Sequence, residues 1–441
     1  MSFSVKSAFL NVVNVKNLSG ATYSSLLPPS VISTTPSSAY TFLAGGTGVV
    51  LATTGVGSLI NYGLTSLAVA SPSTIVTDRG AVDLTNTIPY RTLLQTSNGW
   101  IIPDSFNNSF YPNALETSIS QYSFGVSMSS DGNTVVAGLA NAGQIVVYNR
   151  SSGVWSSYAS LTTSDSTPGN LGFSVSISAD GNTIAAGSPD ENATWIFVKT
   201  EGTWAQQGLK LVGSGDIGSF GQGYSCSLSA DGNTLAVGNN FDNSNVGASW
   251  VFTRTSGVWT QQSIKLIGTG STGTSAQGRS VSLSADGNIL VVGGSRDNSN
   301  VGAAWIFTRS AGVWTQYGSK LTGTGSSGTS FGISTINSNG TTICITNTNS
   351  IFVFKFINSV WIQTNLITNI TTAKGVCISS DGNTIGVSTV GSLLIYTNSG
   401  GILNLKRSLT LSSEPLAISC SDDAKTMVVS VLGAVAINIY S

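Results

Sequence analysis

Histidine does not occur in this chain. Its absence removes the commonest general base and the commonest metal ligand together. Ser-His-Asp and Cys-His nucleophile systems are excluded, and so is zinc held by mixed His and Cys ligands. Charge is nearly as scarce. Asp, Glu, Lys and Arg make up 8% of the residues, against about 25% in an ordinary soluble domain, and the net charge is −1. No basic patch exists to track a phosphate backbone, so nucleic acid is not an expected partner. Solubility must come from Ser, Thr, Asn and Gly instead.

Long apolar runs are missing too. None approaches the roughly 18 residues needed to cross a bilayer, so no membrane insertion is expected. In the N-terminal stretch 1–16, Asn11 and Asn14 interrupt the apolar residues and no small-residue cleavage site follows. The expectation is synthesis in the cytoplasm without secretion. The four cysteines lack C-x-x-C spacing. Cys226, Cys344 and Cys420 stand where sister repeats carry Val, Ile, Leu or Met, which predicts reduced, core-like thiols; Cys377 takes a usual Ser position.

What the chain does contain is a repeat. The segment Ser-Ala-Asp-Gly-Asn-Thr recurs with its Asp at Asp131, Asp180, Asp231, Asp286 and Asp381, and degenerate copies lie at Asn339 and Asp423. The spacings are 49, 51, 55, 53, 42 and 42 residues. Each repeat carries four strand signals. An alternating run such as Arg279–Ser284 precedes the Asp-Gly turn, whose residues tolerate the positive φ of a tight hairpin. The runs 289–293, 303–309 and 313–316 supply the other three in that repeat. Periods of this length filled with strands predict an all-β fold, a seven-bladed β-propeller with an N-terminal β-rich non-repeat segment.

Seven of the ten prolines precede the first Asp-Gly turn. They mark a division into residues 1–90, a β-rich anchoring or assembly segment with strand-like pieces at 47–52 and 66–70, and residues 91–441, the propeller. The seventh repeat ends at Ser441 without a fourth strand. An orphan Ser97-Asn98-Gly99-Trp100-Ile101-Ile102 looks like the missing piece. A strand near 99–103 is therefore expected to close the last blade, leaving no exposed sheet edge.

Phe124-Gly125-x-Ser127, the Asp-Gly-Asn turn, the Val-Gly-Ala-Ala/Ser-Trp-x-Phe strand and the Gly-Val-Trp-Thr-Gln-Gln strand resemble FG-GAP-type repeats. Such repeats build integrin-α-like seven-bladed propellers and recur in bacterial and large-virus surface proteins. The resemblance covers about residues 97–441 and weakens in the last two repeats, where Leu403 replaces the fourth-strand Trp. It implies the fold rather than one activity. It also implies calcium loops of Asp-x-Asp-x-Asp-Gly form. Here the turns carry one carboxylate each, too few for a calcium cage, and no metal or cofactor is expected.

Two series of Trp recur in register: Trp155, Trp204, Trp259, Trp314 and Trp361, and, nine residues before three of these, Trp195, Trp250 and Trp305. Regular recurrence is what packing between blades requires. Glutamate is limited to Glu116, Glu191, Glu201 and Glu414, so a carboxylate glycosidase is the least favoured function. The loops between second and third strands draw more attention. Asp242-Asn243 and Asp297-Asn298 open two nearly identical loops, and Asp190-Glu191 is their counterpart one repeat earlier. These six residues form a candidate ligand face for sugar hydroxyls or a weak cation; the other reading is solvated turns that bond their own backbone.

The expected function is a non-enzymatic structural or interaction protein of a virus particle, a minor capsid or surface protein made in the host cytoplasm. The N-terminal segment would dock to the shell, and the propeller would be displayed for contacts with capsid proteins, other surface proteins or a receptor. Homo-oligomers through the N-terminal segment fit the same picture. The alternative is a glycan-binding, adhesive module of a cell surface.

Overall fold

The structure is a computed structural model. It describes residues 125–440 apart from short loop segments (152–153, 166–169, 219, 326–327, 412 and 432–435), and only short strands of residues 1–124. The chain divides into two units, 1–110 and 111–441. In the first, Tyr40–Thr41, Val50–Thr53, Pro72–Thr77 and Gly80–Asp83 form a four-stranded antiparallel sheet. The strand expected at 47–52 is thus found in part, and the one expected at 66–70 lies outside the described residues.

The second unit is a β-propeller. Its blades span 126–161, 174–206, 225–261, 277–316, 333–367 and 373–410, each a four-stranded antiparallel sheet of consecutive strands. These are six blades built from unbroken stretches of chain, one fewer than the seven repeat anchors predict. The seventh repeat supplies three strands, Pro415–Cys420, Met427–Val431 and Ala436–Tyr440. The fourth strand of that sheet is Asn113–Leu115, with Ile437 opposite Leu115 and Ile439 opposite Asn113.

That pairing corrects the closing strand expected at 99–103. Gly99–Ile101 pairs instead with Leu94–Thr96, Thr96 lying opposite Gly99. The reason is local. A hairpin with two connecting residues closes at far lower entropic cost than a contact with the distant C-terminus. The Asn-Gly pair that looked like the start of an outer strand belongs to that hairpin.

In each blade the second strand is buried along its whole length or nearly so, as in Thr234–Asn239, because neighbouring sheets cover both its faces. This accounts for near-continuous apolar runs such as Ile289-Leu290-Val291-Val292. The core is correspondingly a series of slabs between blades. Ala236 and Val251 of the third blade, for example, pack on Leu283, Leu290, Trp305 and Phe307 of the fourth.

The Asp-Gly segment owes its recurrence to a web of hydrogen bonds. In the fourth blade the Ser284 hydroxyl donates to Asp286 Oδ1 at 2.5 Å, and the Asn288 backbone N–H donates to the same oxygen at 3.0 Å. Asn288 Nδ2 donates to Asp286 Oδ2 at 2.9 Å, and the Ile289 N–H donates to Ser284 Oγ at 3.0 Å. Gly287 sits at φ +66°, where a side chain would be strained. These turns also link the blades. Ser130 N–H donates to the Ala179 carbonyl, Ala179 to Ala230, Ala230 to Ala285 and Ala285 to Ser338. Asn337 Nδ2 donates to Ser380 O, Ser380 N–H to Asp422 O, and Asp422 N–H back to Ser130 O. The cycle therefore includes the composite sheet and returns to the first blade.

Both Trp series are packing elements. Trp195, Trp250 and Trp305 are fully buried, and their indole N–H groups donate to Asp165 Oδ1, Ser214 O and Thr269 O, each at 2.8 Å. The outer-strand series stacks under cations of the third strand: Arg150, Arg254 and Arg309 lie 5.3–5.4 Å from the ring centres of Trp155, Trp259 and Trp314. Gln207 and Gln262 then accept from both the Arg and the Trp of the next blade, which explains the Gln-Gln that follows Trp-x in these repeats.

Candidate functional site

The inner strand of each blade starts on the face that carries the loops between second and third strands. The loop carboxylates singled out by sequence are integral to the scaffold there. Asp242 is 0% exposed; its Oδ1 accepts the Ile217 N–H at 2.7 Å and its Oδ2 the Lys265 ammonium at 2.7 Å. Asp297 repeats the arrangement at 0% exposure, with the Thr272 N–H at 2.7 Å and Lys320 at 2.5 Å. Each pair pins a second-to-third-strand loop to the connection that leads to the next blade. The following residues, Asn243–Asn245 and Asn298–Asn300, are all left-handed, with φ from 48° to 71°. Asn tolerates that conformation better than most residues.

The remaining candidates are less enclosed. Asp190 is exposed and accepts a bond from Asn170 Nδ2, and Glu191 pairs with Lys210 at 3.3 Å. Asn243 and Asn298 are exposed. The six residues thus occupy one face across three adjacent blades, but their carboxylates do not converge. One further group joins this region. Asp216 accepts from Asn192 Nδ2 at 2.9 Å and Asn239 Nδ2 at 3.1 Å, and burial, with the nearby Asp242 charge added, pushes its carboxyl above the ordinary range. Among the described residues no three of His, Cys, Asp or Glu come together as a metal-binding group.

The concavity on this face is a cavity of 360 Å³ at the axis, walled by the beginnings of the inner strands of the six blades and of the composite sheet. Its walls repeat the pattern Ser-Val or Gly-Val, as in Ser174-Val175 and Gly375-Val376. One position earlier the lining differs between blades: Phe173, Tyr224 and Arg279 stand on successive blades, and Lys374 and Leu416 follow beyond Ile333 of the fifth. Phe173 and Tyr224 rings stand 5.0 Å apart, and Phe241 meets Tyr224 edge-on at 5.7 Å. Arg279 is exposed; its Nη1 donates to the Tyr224 hydroxyl at 2.7 Å, and its guanidinium lies 5.7 Å from that ring centre. Lys374 pairs with Glu414 at 2.6 Å. The opening therefore has an aromatic side and a cationic side.

The cavity residues were not among the sequence candidates, although a signal was present. At the register position two residues before Val175, Cys226, Val281 and Val376 the repeats carry Phe, Tyr, Arg and Lys in turn, although Phe124 repeats the Phe before Val126. Divergence at one fixed position of an otherwise uniform repeat marks residues that the fold does not dictate.

No family profile and no curated protein matches the sequence. Solved structures do match in fold. One is a chain of Kuenenia stuttgartiensis hydrazine synthase, with a TM-score of 0.55 and 11% identity, covering 74% of this chain and 97% of that one. Since 1556 solved chains match, the likeness speaks for the propeller and not for an activity.

Proposed function

We propose that this protein is a non-enzymatic structural or interaction protein of a virus particle, with residues 1–110 docking to the shell and the propeller displayed from it. The composite sheet is, in this reading, the seventh blade of a closed ring of FG-GAP-type repeats. A ring closed by strands from residues 113–115 and 436–440 gives a displayed head whose remaining sheet edges are the short strands of the blades.

The observation that carries the reading is how the carboxylates of the propeller are used. Asp131, Asp180, Asp231, Asp286 and Asp381 organise turns, and Asp242 and Asp297 brace loops through buried lysine pairs. Polar chemistry placed in this way makes a rigid scaffold with a fixed face, as a recognition module needs. The low charge of the whole chain and the lack of repeats in residues 1–90 are consistent with it.

The test is docking. The full chain and a chain beginning at Tyr111 are each mixed with purified virus particles from the protein's source and sedimented. The full chain is expected to sediment with the particles and the shorter one to remain in solution as a folded monomer. If both stay in solution, the anchoring role fails.

A further inference from the structure

We propose that the axial cavity binds a single acidic sugar, a terminal ring bearing a carboxylate. This goes beyond the docking of the N-terminal unit, and either idea can fail without the other.

Three features of the cavity point the same way. The first is Arg279. Three other arginines of the repeats are held in the scaffold: Arg150, Arg254 and Arg309 stack on Trp and donate to Asn133, Asn233 and Asn288. Arg279 departs from that use. It is exposed at the opening, and among the described residues it is in no ion pair. With one nitrogen on the Tyr224 hydroxyl, its remaining N–H groups keep the planar fork that fits a carboxylate.

The second feature is the state of the wall hydroxyls. Ser174 donates its proton to the Gly223 carbonyl and Ser225 to the Gly278 carbonyl, both at 2.8 Å. Both hydroxyls are thus spent within the wall, and the polar donors left at the opening are the Tyr224 phenol and Arg279. Tyr224 complements this, because its oxygen accepts from Arg279 and its own proton is free to donate.

The third feature is shape. Phe173 and Tyr224, 5.0 Å apart, give the opening an apolar flank for the C–H face of a ring. The 360 Å³ volume is at the small end of ligand pockets, which run about 300–1,000 Å³, and suits one ring rather than a chain of them. Lys374 on the opposite wall is paired with Glu414, so Arg279 is the cation at the opening left for an anion.

The experiment is ligand-observed NMR and calorimetry on the full chain with N-acetylneuraminic acid, glucuronic acid, glucose, sulfate and a poly-glutamate peptide. At least one acidic sugar is expected to bind with a Kd of about 1 mM or tighter, while glucose, sulfate and the peptide bind at least about tenfold more weakly. Arg279→Gln should weaken the acidic sugar about tenfold or more, and Arg279→Lys, which keeps the charge but loses the fork, should fall between. Glu201→Gln, on an exposed turn between third and fourth strands, should leave binding unchanged. The proposal is overturned if no acidic sugar binds, if sulfate or the peptide binds as well as the sugar, or if sugar binding survives intact in both Arg279 variants. Should Arg279→Gln fail to fold, Arg279→Lys and Tyr224→Phe decide, since both keep the packing of the opening.

Discussion

Replacing Lys265 by Met isolates the contribution of a buried charge to this face. Lys265 is 13% exposed and its partner Asp242 is 0% exposed, with 2.7 Å between them. Methionine keeps most of the stem that lies by Trp250 and removes only the ammonium. The carboxylate is then left buried with the Ile217 N–H as its remaining backbone bond and the Asp216 carboxyl beside it, and an uncompensated buried charge costs about 3–5 kcal/mol. Urea unfolding at pH 7 should show a lower midpoint with an unchanged slope. The double variant Lys265→Met, Asp242→Asn should regain most of that loss, because no buried charge remains and the Asn oxygen still accepts from Ile217. Lys320→Met should behave like Lys265→Met, since its pair is equally enclosed. Lys210→Met should cost about 1 kcal/mol or less, because Lys210 is 36% exposed. A loss below about 1 kcal/mol for Lys265→Met would refute the reasoning. So would a double variant as unstable as the single one, which would assign the loss to packing.

Other expectations can be checked in the same unfolding assay. A Cβ on Gly268 would lie 2.1 Å from Trp305 Cδ1, so Gly268→Ala should cost about 3 kcal/mol or more. Gly208→Ala meets nothing within 4 Å and carries only the strain of φ +73°, roughly 1–2 kcal/mol; the reverse ranking would contradict the packing described. Burial pushes the carboxyls of Asp131, Asp180, Asp231 and Asp286 up, but hydrogen bonds from their turn Ser and Asn outweigh it and hold them below the ordinary range; at Asp381 the Ser379 bond leads. At Asp423 burial is likewise outweighed, by Lys425 and Ser421, and the carboxyl is brought down to about 2. Depressed folded values mean stability that is complete above the unfolded value of about 4 and is lost as pH falls through the folded one, so urea midpoints should drop between pH 4 and about 2. A flat profile there would count against the turn network. All four cysteines are free, and burial pushes the Cys226 thiol up to about 12 and Cys344 up as well. An aromatic disulfide reagent at pH 8 should therefore leave Cys226 and Cys344 untouched until denaturant exposes four thiols; fewer than four would reveal a disulfide.

The architecture was legible because its determinants are local and repeated. Each Asp-Gly turn bonds within six residues, and four of the five outer-strand Trp face a cation five residues before them, as Arg254 faces Trp259, while Trp361 faces Phe356. The closing strand was not legible, since both the hairpin at 94–101 and the strand at 113–115 are plausible partners by pattern. Only the three-dimensional pairing separates them. The setting of the loop aspartates was hidden for a similar reason. Asp242 and Asp297 look like solvent-facing loop residues, and what buries them is a lysine 23 residues later in both repeats. That equal spacing was visible, but it acquires meaning only once the connecting segment is known to fold back along the third strand through Ser249 with Leu266 and Ala304 with Leu321. The axial opening was hidden because its residues are adjacent only around the ring, about 50 positions apart in the chain.

In the function proposed above, the propeller would stand on the outside of a virus particle. An antibody raised against residues 111–441 and applied to intact purified particles tests it most directly. Gold labelling on the outer surface, with the protein present among the particle's components, is the predicted result. Intact particles that carry neither label nor protein would contradict it.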